Sequence, residues 1–186
     1  MQQKAFNYIF ESEYVEMERN SETKSEYYNG EVFAMSGASE KHNLIVSNLI
    51  FSLQLRLKKT PCRVYPSDMR LKVKTGLYTY PDIMVVCGNR KFDDEKSDTL
   101  LNPDVIIEVL SDSTENYDRG RKFQNYQQID SLKEYVMISQ HRQKTEKYSR
   151  NKKGNWMLAE SDKDNPFIIL ESVGCKLEHS EIYDKT

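Results

Sequence analysis

Two acidic residues stand where acids are costly. Asp82 opens the run Ile83-Met84-Val85-Val86, and 26 positions later Glu108 interrupts the run from Val105 to Leu110. An ionised carboxylate is expensive to bury without a partner, so acids inside apolar strands need compensation. If the two runs are neighbouring strands, one carboxylate from each converges at one end of a sheet. Paired hard oxygen donors of this kind select Mg²⁺ or Mn²⁺ over softer metals. In the following segment Asp118, Lys122, Asn125, Tyr126 and Ile129 fall at offsets 0, 4, 7, 8 and 11. These lie on one helical face, which aims the Lys122 ammonium toward the acids. Each residue also admits an ordinary role. Asp82 can start a strand after Pro81, Glu108 can pair with a core cation, and Asp118 and Lys122 can form a weak i,i+4 surface pair.

The elements that must position these groups read as strand, helix, three strands, helix, strand and a β-rich tail. Residues 10–19 predict a short amphipathic helix. Asn29-Gly30 predicts a turn before a strand at 31–35. Val46, Leu49, Ile50, Leu53 and Leu57 form an apolar stripe of helical period, with Ser39 as its cap and Thr60-Pro61 as its end. His42 lies one turn before that stripe and reads either as a structural hydrogen-bond donor or as a site residue at a helix N-terminus. Residues 64–73, 80–87 and 103–110 read as strands, the last two buried on both faces. A second helix is expected over 115–129, then strands at 134–139, 144–150, 155–160 and 167–173. The pattern is a mixed α/β domain spanning 1–186, with one sheet flanked by helices, a core over 31–139 and a β-rich extension over 144–186.

The chain has 186 residues with 38% hydrophobic and 30% charged side chains, the balance of a globular protein. No apolar run reaches the ~18 residues of a membrane span, and no secretory signal is expected at the start. Cys62, Cys87 and Cys175 read as reduced thiols of a cytoplasmic protein. The formal net charge is −2, so any nucleic-acid contact must rest on local patches. Two such patches exist. Arg70, Lys72 and Lys74 share one strand face. Residues 142–153 carry Arg142, Lys144, Lys147, Arg150, Lys152 and Lys153 against Glu146 alone. Both also read as ordinary solvated surface.

The ordered set EYYNGEVFAMSGASEKHNLIVSNL (26–49), VYPSDMRLKV (64–73), YPDIMVVC (80–87), NPDVIIEVLSDSTENYDRGRKFQNYQQI (102–129) and EYVMIS (134–139) resembles the Uma-two family of the PD-(D/E)XK nuclease superfamily. The resemblance runs from about residue 10 to 184 and implies a restriction-endonuclease-like fold. It further implies a metal-dependent endodeoxyribonuclease acting on double-stranded DNA, with Asp82 and Glu108 as ligands of Mg²⁺ or Mn²⁺. The superfamily's usual lysine lies two residues after the glutamate, where this chain has Leu110; Lys122 is the natural substitute. Glu31, His42 and Asp68 fall in matching segments as site-wall residues, and Arg70, Lys72 and Lys74 are candidates for DNA phosphate contacts. A homodimer would suit cleavage of both strands. The missing lysine at 110 and the acidic balance favour a second reading, a non-cleaving nucleic-acid- or partner-binding domain on the same fold.

Overall fold

The computed structural model describes residues 8–186. Helix α1 (Glu11–Arg19) leads into a hairpin of β1 (Ser25–Tyr28) and β2 (Glu31–Ala34). Asn29 and Gly30 at its tip have φ of 50° and 86°, the doubly left-handed backbone of a tight hairpin turn. Helix α2 (Glu40–Leu57) starts where the Ser39 side chain accepts the His42 N–H at 3.1 Å. There follow β3 (Cys62–Pro66), β4 (Arg70–Lys72), β5 (Tyr78–Thr79), β6 (Ile83–Cys87), β7 (Thr99–Leu100) and β8 (Val105–Leu110). A helical segment comes next: α3 (Glu115–Tyr117), a π-helical turn (Asp118–Lys122) and α4 (Phe123–Tyr126). The chain ends with β9 (Glu134–Ser139), β10 (Thr145–Arg150), β11 (Trp156–Ser161), β12 (Phe167–Leu170), β13 (Cys175–Glu178) and α5 (His179–Ile182).

The central sheet has six strands in the order β11-β10-β9-β8-β6-β3. Only β8 and β9 run parallel, so the helical segment between them serves as their crossover. Successive side chains of a strand point to opposite faces, and both faces of the central strands are covered. On one face Ile83, Val85, Val105, Ile107 and Val136 pack against Ile45, Leu49 and Leu53 of α2 and against the β12–β13 hairpin. On the other, Met84, Val86, Ile106, Tyr135 and Met137 pack against Phe123 and Tyr126 of α4 and against Leu71, Leu77 and Leu100.

This arrangement corrects the expectation of one sheet. Residues 64–73 do not form one strand. Pro66 closes the β3 ladder with β6, a turn follows (Met69 N–H to Pro66 C=O, 3.1 Å), and β4 joins a second sheet of order β2-β1-β5-β4-β7. The second sheet carries α1 through a tyrosine cluster of Tyr14, Tyr27 and Tyr78. The helix expected over 115–129 is interrupted by the π turn and ends at Tyr126. Cys62 and Cys87, directly opposite each other on β3 and β6, form a disulfide, so two of the three cysteines are not free thiols. Cys175 is free and buried. With two cysteines bonded, cysteine content no longer argues for a reducing compartment. Among the described residues no helix is long and apolar enough to cross a membrane.

Candidate active site

The β6–β8 ladder runs through Val85–Val105, Met84–Ile106 and Ile83–Ile107. One step further in the same register, Asp82 faces Glu108, and there side chains take over from backbone. The Asp82 N–H donates to Glu108 Oε2 at 3.1 Å, and the Val109 N–H donates to Asp82 Oδ2 at 2.8 Å. Each carboxylate is therefore held by an amide of the other's strand, and the two acids form one unit at the end of the sheet.

The layers on both faces reach this end. From the α2 side, His42 Nε2 lies 3.2 Å from Asp82 Oδ2. From the opposite side, Lys122 Nζ lies 3.0 Å from Glu108 Oε1, which also accepts the Tyr126 hydroxyl at 2.8 Å. The same ammonium lies 3.3 Å from Asp118 and 3.4 Å from Glu26. The π turn makes this possible: it carries both Asp118 and Lys122, and both are buried against the sheet. Turns of this kind are often associated with functional sites. Leu110, on the same strand face as Glu108, is buried in the apolar cluster, and the ammonium arrives from the helix instead.

Three carboxylates thus share one buried ammonium, with Asp82 beside Glu108 as a fourth acid, and the electrostatics reflect the excess. Burial raises the Glu108 pKa, Lys122 opposes that, and Asp118 and Asp82 push it up again, to about 8. Burial likewise raises Asp118. Burial works against the Lys122 ammonium, but Glu108, Tyr126, Glu26 and Asp118 outweigh it and hold the pKa well above that of an ordinary lysine. For His42, burial is opposed by the Asp82 hydrogen bond and charge, which leave the imidazole pKa raised. Among the described residues His42 Nδ1, a buried atom, has no hydrogen-bond partner, and Asp118 Oδ1 is met by the Lys122 ion pair alone.

Of the sequence candidates, Asp82, Glu108, Lys122 and His42 come together. Glu31 is exposed on β2, away from the cluster, and the carboxylate that this hairpin brings to Lys122 is Glu26 on the neighbouring strand β1. Glu26 was missed, although the period-two pattern of β1 places it opposite the buried face of Tyr27. Asp68 sits in the β3–β4 turn paired with Lys24 at 3.0 Å, not with Arg70. The basic stripe is not a free surface. Arg70 is buried on Thr99 and Asp98, Lys72 pairs with Asp93 and Glu11, and Lys74 pairs with Asp130. In the second patch, Lys144 meets Glu160, Lys147 meets Glu134 and Glu171, and Arg150 caps the carbonyls of Gln127 and Ile129. A cleft of about 760 Å³ between α1 and β4, lined by Glu11, Arg19, Lys72 and Asp93, contains none of the clustered acids.

Comparison with known proteins agrees with this architecture. A solved structure, that of a "putative nuclease belonging to DUF820" from Anabaena variabilis, superposes with a TM-score of 0.78 over 94% of this chain and 97% of that one. At 19% identity the likeness is one of fold. Two uncharacterized proteins of Synechocystis sp. are similar in sequence. sll1609 is 36% identical over 84% of this chain and 89% of its own length, and slr1290 is 33% identical over 92% and 89%. The family model of Uma2, described as "Putative restriction endonuclease", matches residues 11–179. The chain belongs to the Uma2 family, and it shares its fold with the Anabaena protein.

Proposed function

We propose that the protein is a metal-dependent endodeoxyribonuclease whose site is built on Asp82, Glu108 and Lys122. The observation that carries this reading is the interlocked acid pair, with Lys122 Nζ 3.0 Å from Glu108. The donor chemistry suits a hard dication, since the oxygens are carboxylate and negative charge exceeds the available ammonium; among the described residues no group of three His, Cys, Asp or Glu side chains is arranged to hold an ion, so the acid pair alone would supply the protein ligands. In addition, Asp82 Oδ1 takes no hydrogen bond from the described residues. Asp82 and Glu108 would hold Mg²⁺ or Mn²⁺, which supplies neutralisation of phosphate charge and a lowered pKa for bound water. Lys122 orients the attacking water or stabilises the charge that develops on the phosphate. Glu26 and Asp118 hold the lysine in place, Tyr126 fixes Glu108, and His42 fixes Asp82. Recognition of particular bases has no counterpart among these residues.

The test is plasmid DNA cleavage in Mg²⁺ and in Mn²⁺ by wild type, Asp82→Asn and Glu108→Gln. The expectation is turnover by wild type and a loss of about 10³-fold or more in each variant with the fold retained. The second reading, a non-cleaving DNA-binding domain, draws support from Glu108, both of whose oxygens are already engaged. Salt-dependent DNA binding with no turnover in either metal would select it.

A further inference from the structure

The central sheet has two edges, and they are not alike. At one edge β3 ends in Pro66, which has no N–H, and carries an exposed Arg63; both features blunt strand pairing. At the other, β11 reads Trp-Met-Leu-Ala-Glu-Ser, without proline, glycine or cation. Its single charge, Glu160, is tied to Lys144 at 2.6 Å. Met157 and Leu158, on opposite faces of the strand, are 58% and 50% exposed. The Asn151 N–H donates to the Asn155 carbonyl at 2.8 Å. From that pair the antiparallel alternation turns the backbone groups of Met157, Ala159 and Ser161 toward β10 and those of Trp156, Leu158 and Glu160 outward. Among the described residues no other backbone meets the outward set.

We infer that this edge pairs with β11 of a second copy of the chain, antiparallel and centred on Leu158. That register matches the outward groups of one copy to those of the other. It sets Leu158 against its own symmetry mate and Met157 against Ala159, so that apolar side chains meet on both faces. Charge is complementary at the ends. The turn before β11 carries Lys152 and Lys153, and the turn after it carries Asp162 and Asp164 flanking Lys163. The two-fold axis lays each basic end beside the partner's acidic end. The inference is independent of the nuclease reading.

Sedimentation velocity of the full chain over a concentration series tests it, with Leu158→Lys and Leu158→Cys variants. The outward N–H of residue 158 is not part of the β10 ladder, so L158K should keep the wild-type circular dichroism and, at concentrations low enough for both to be monomeric, the wild-type melting curve. Its ammonium would oppose its mate across the axis and weaken dimerisation by about tenfold or more. Oxidised L158C should form a covalent dimer, because Cα atoms of facing residues in such a pair lie about 5.5 Å apart, within disulfide range. Three results would overturn the inference. These are a monomeric wild type at every concentration, a dimer that L158K leaves intact (which would point to another face, such as exposed Phe51 and Leu55 on α2), or an L158C protein that dimerises without cross-linking.

Discussion

Glu108 is caught between burial, which raises its carboxyl pKa, and the Lys122 ammonium, which lowers it. Its carboxyl, ordinarily near 4.5, is pushed up to about 8 in the folded protein, first by burial and then by Asp118 and Asp82. The unfolded chain releases that proton at lower pH than the folded one. Between these values the folded state therefore binds more protons, and this group's contribution to stability falls as pH rises from 4.5 to 8. Glu108→Gln should flatten the decline, gaining on the order of a few kcal/mol relative to wild type at about pH 8–9; urea unfolding at a series of pH values measures it. Lys122 is the opposite case, since removing it leaves buried carboxylates uncompensated. Lys122→Met should cost about 3–5 kcal/mol in urea unfolding at about pH 9, where Glu108 is ionised. Combining it with Glu108→Gln should recover much of that loss, because the two side chains share one interaction.

At the scale of elements, the π turn decides whether Lys122 reaches Glu108. A π turn amounts to one extra residue in a helix, and Gly120 within it has open space where a Cβ would stand. Gly120→Ala should leave cleavage unchanged and stabilise by about 0.5–1 kcal/mol in thermal or urea unfolding. Deleting Gly120 should draw the segment toward regular α-helix and rotate the residues C-terminal to it by about 100°. Such a protein keeps its helical circular dichroism, loses the Lys122–Glu108 pair and melts lower. The sequence made the Lys122 face legible because Asn125, Tyr126 and Ile129 continue its apolar register. The π turn itself left no trace there, since a one-residue change of helical phase over five residues hardly alters that pattern. The split of 64–73 was equally hidden. Alternation continues through Pro66 and Arg70, and only tertiary pairing sends the two halves to different sheets. Glu26 escaped for a related reason: its role depends on a hairpin folding over a helix nearly a hundred residues downstream, which local periodicity does not encode.

For the molecule as a whole, the Cys62–Cys87 bond ties the edge strand β3 to β6, the strand that Asp82 precedes, and closes a loop with a sequence separation of 25. Loop-closure entropy for such a length gives about 3.5 kcal/mol. The Cys62→Ser/Cys87→Ser double variant, or wild type under reductant, should lose roughly that amount in chemical unfolding while retaining the wild-type fold. The interlock between the two acids has a separate use as a spectroscopic gauge. The amides of Asp82 and Val109 each donate to a carboxylate of the opposing strand, so their proton resonances will track titration or ion capture at this end of the sheet. Their exchange with deuterium will register any parting of β6 from β8. Two backbone signals in a nitrogen-labelled sample therefore read the condition of the site directly, without nucleic acid present.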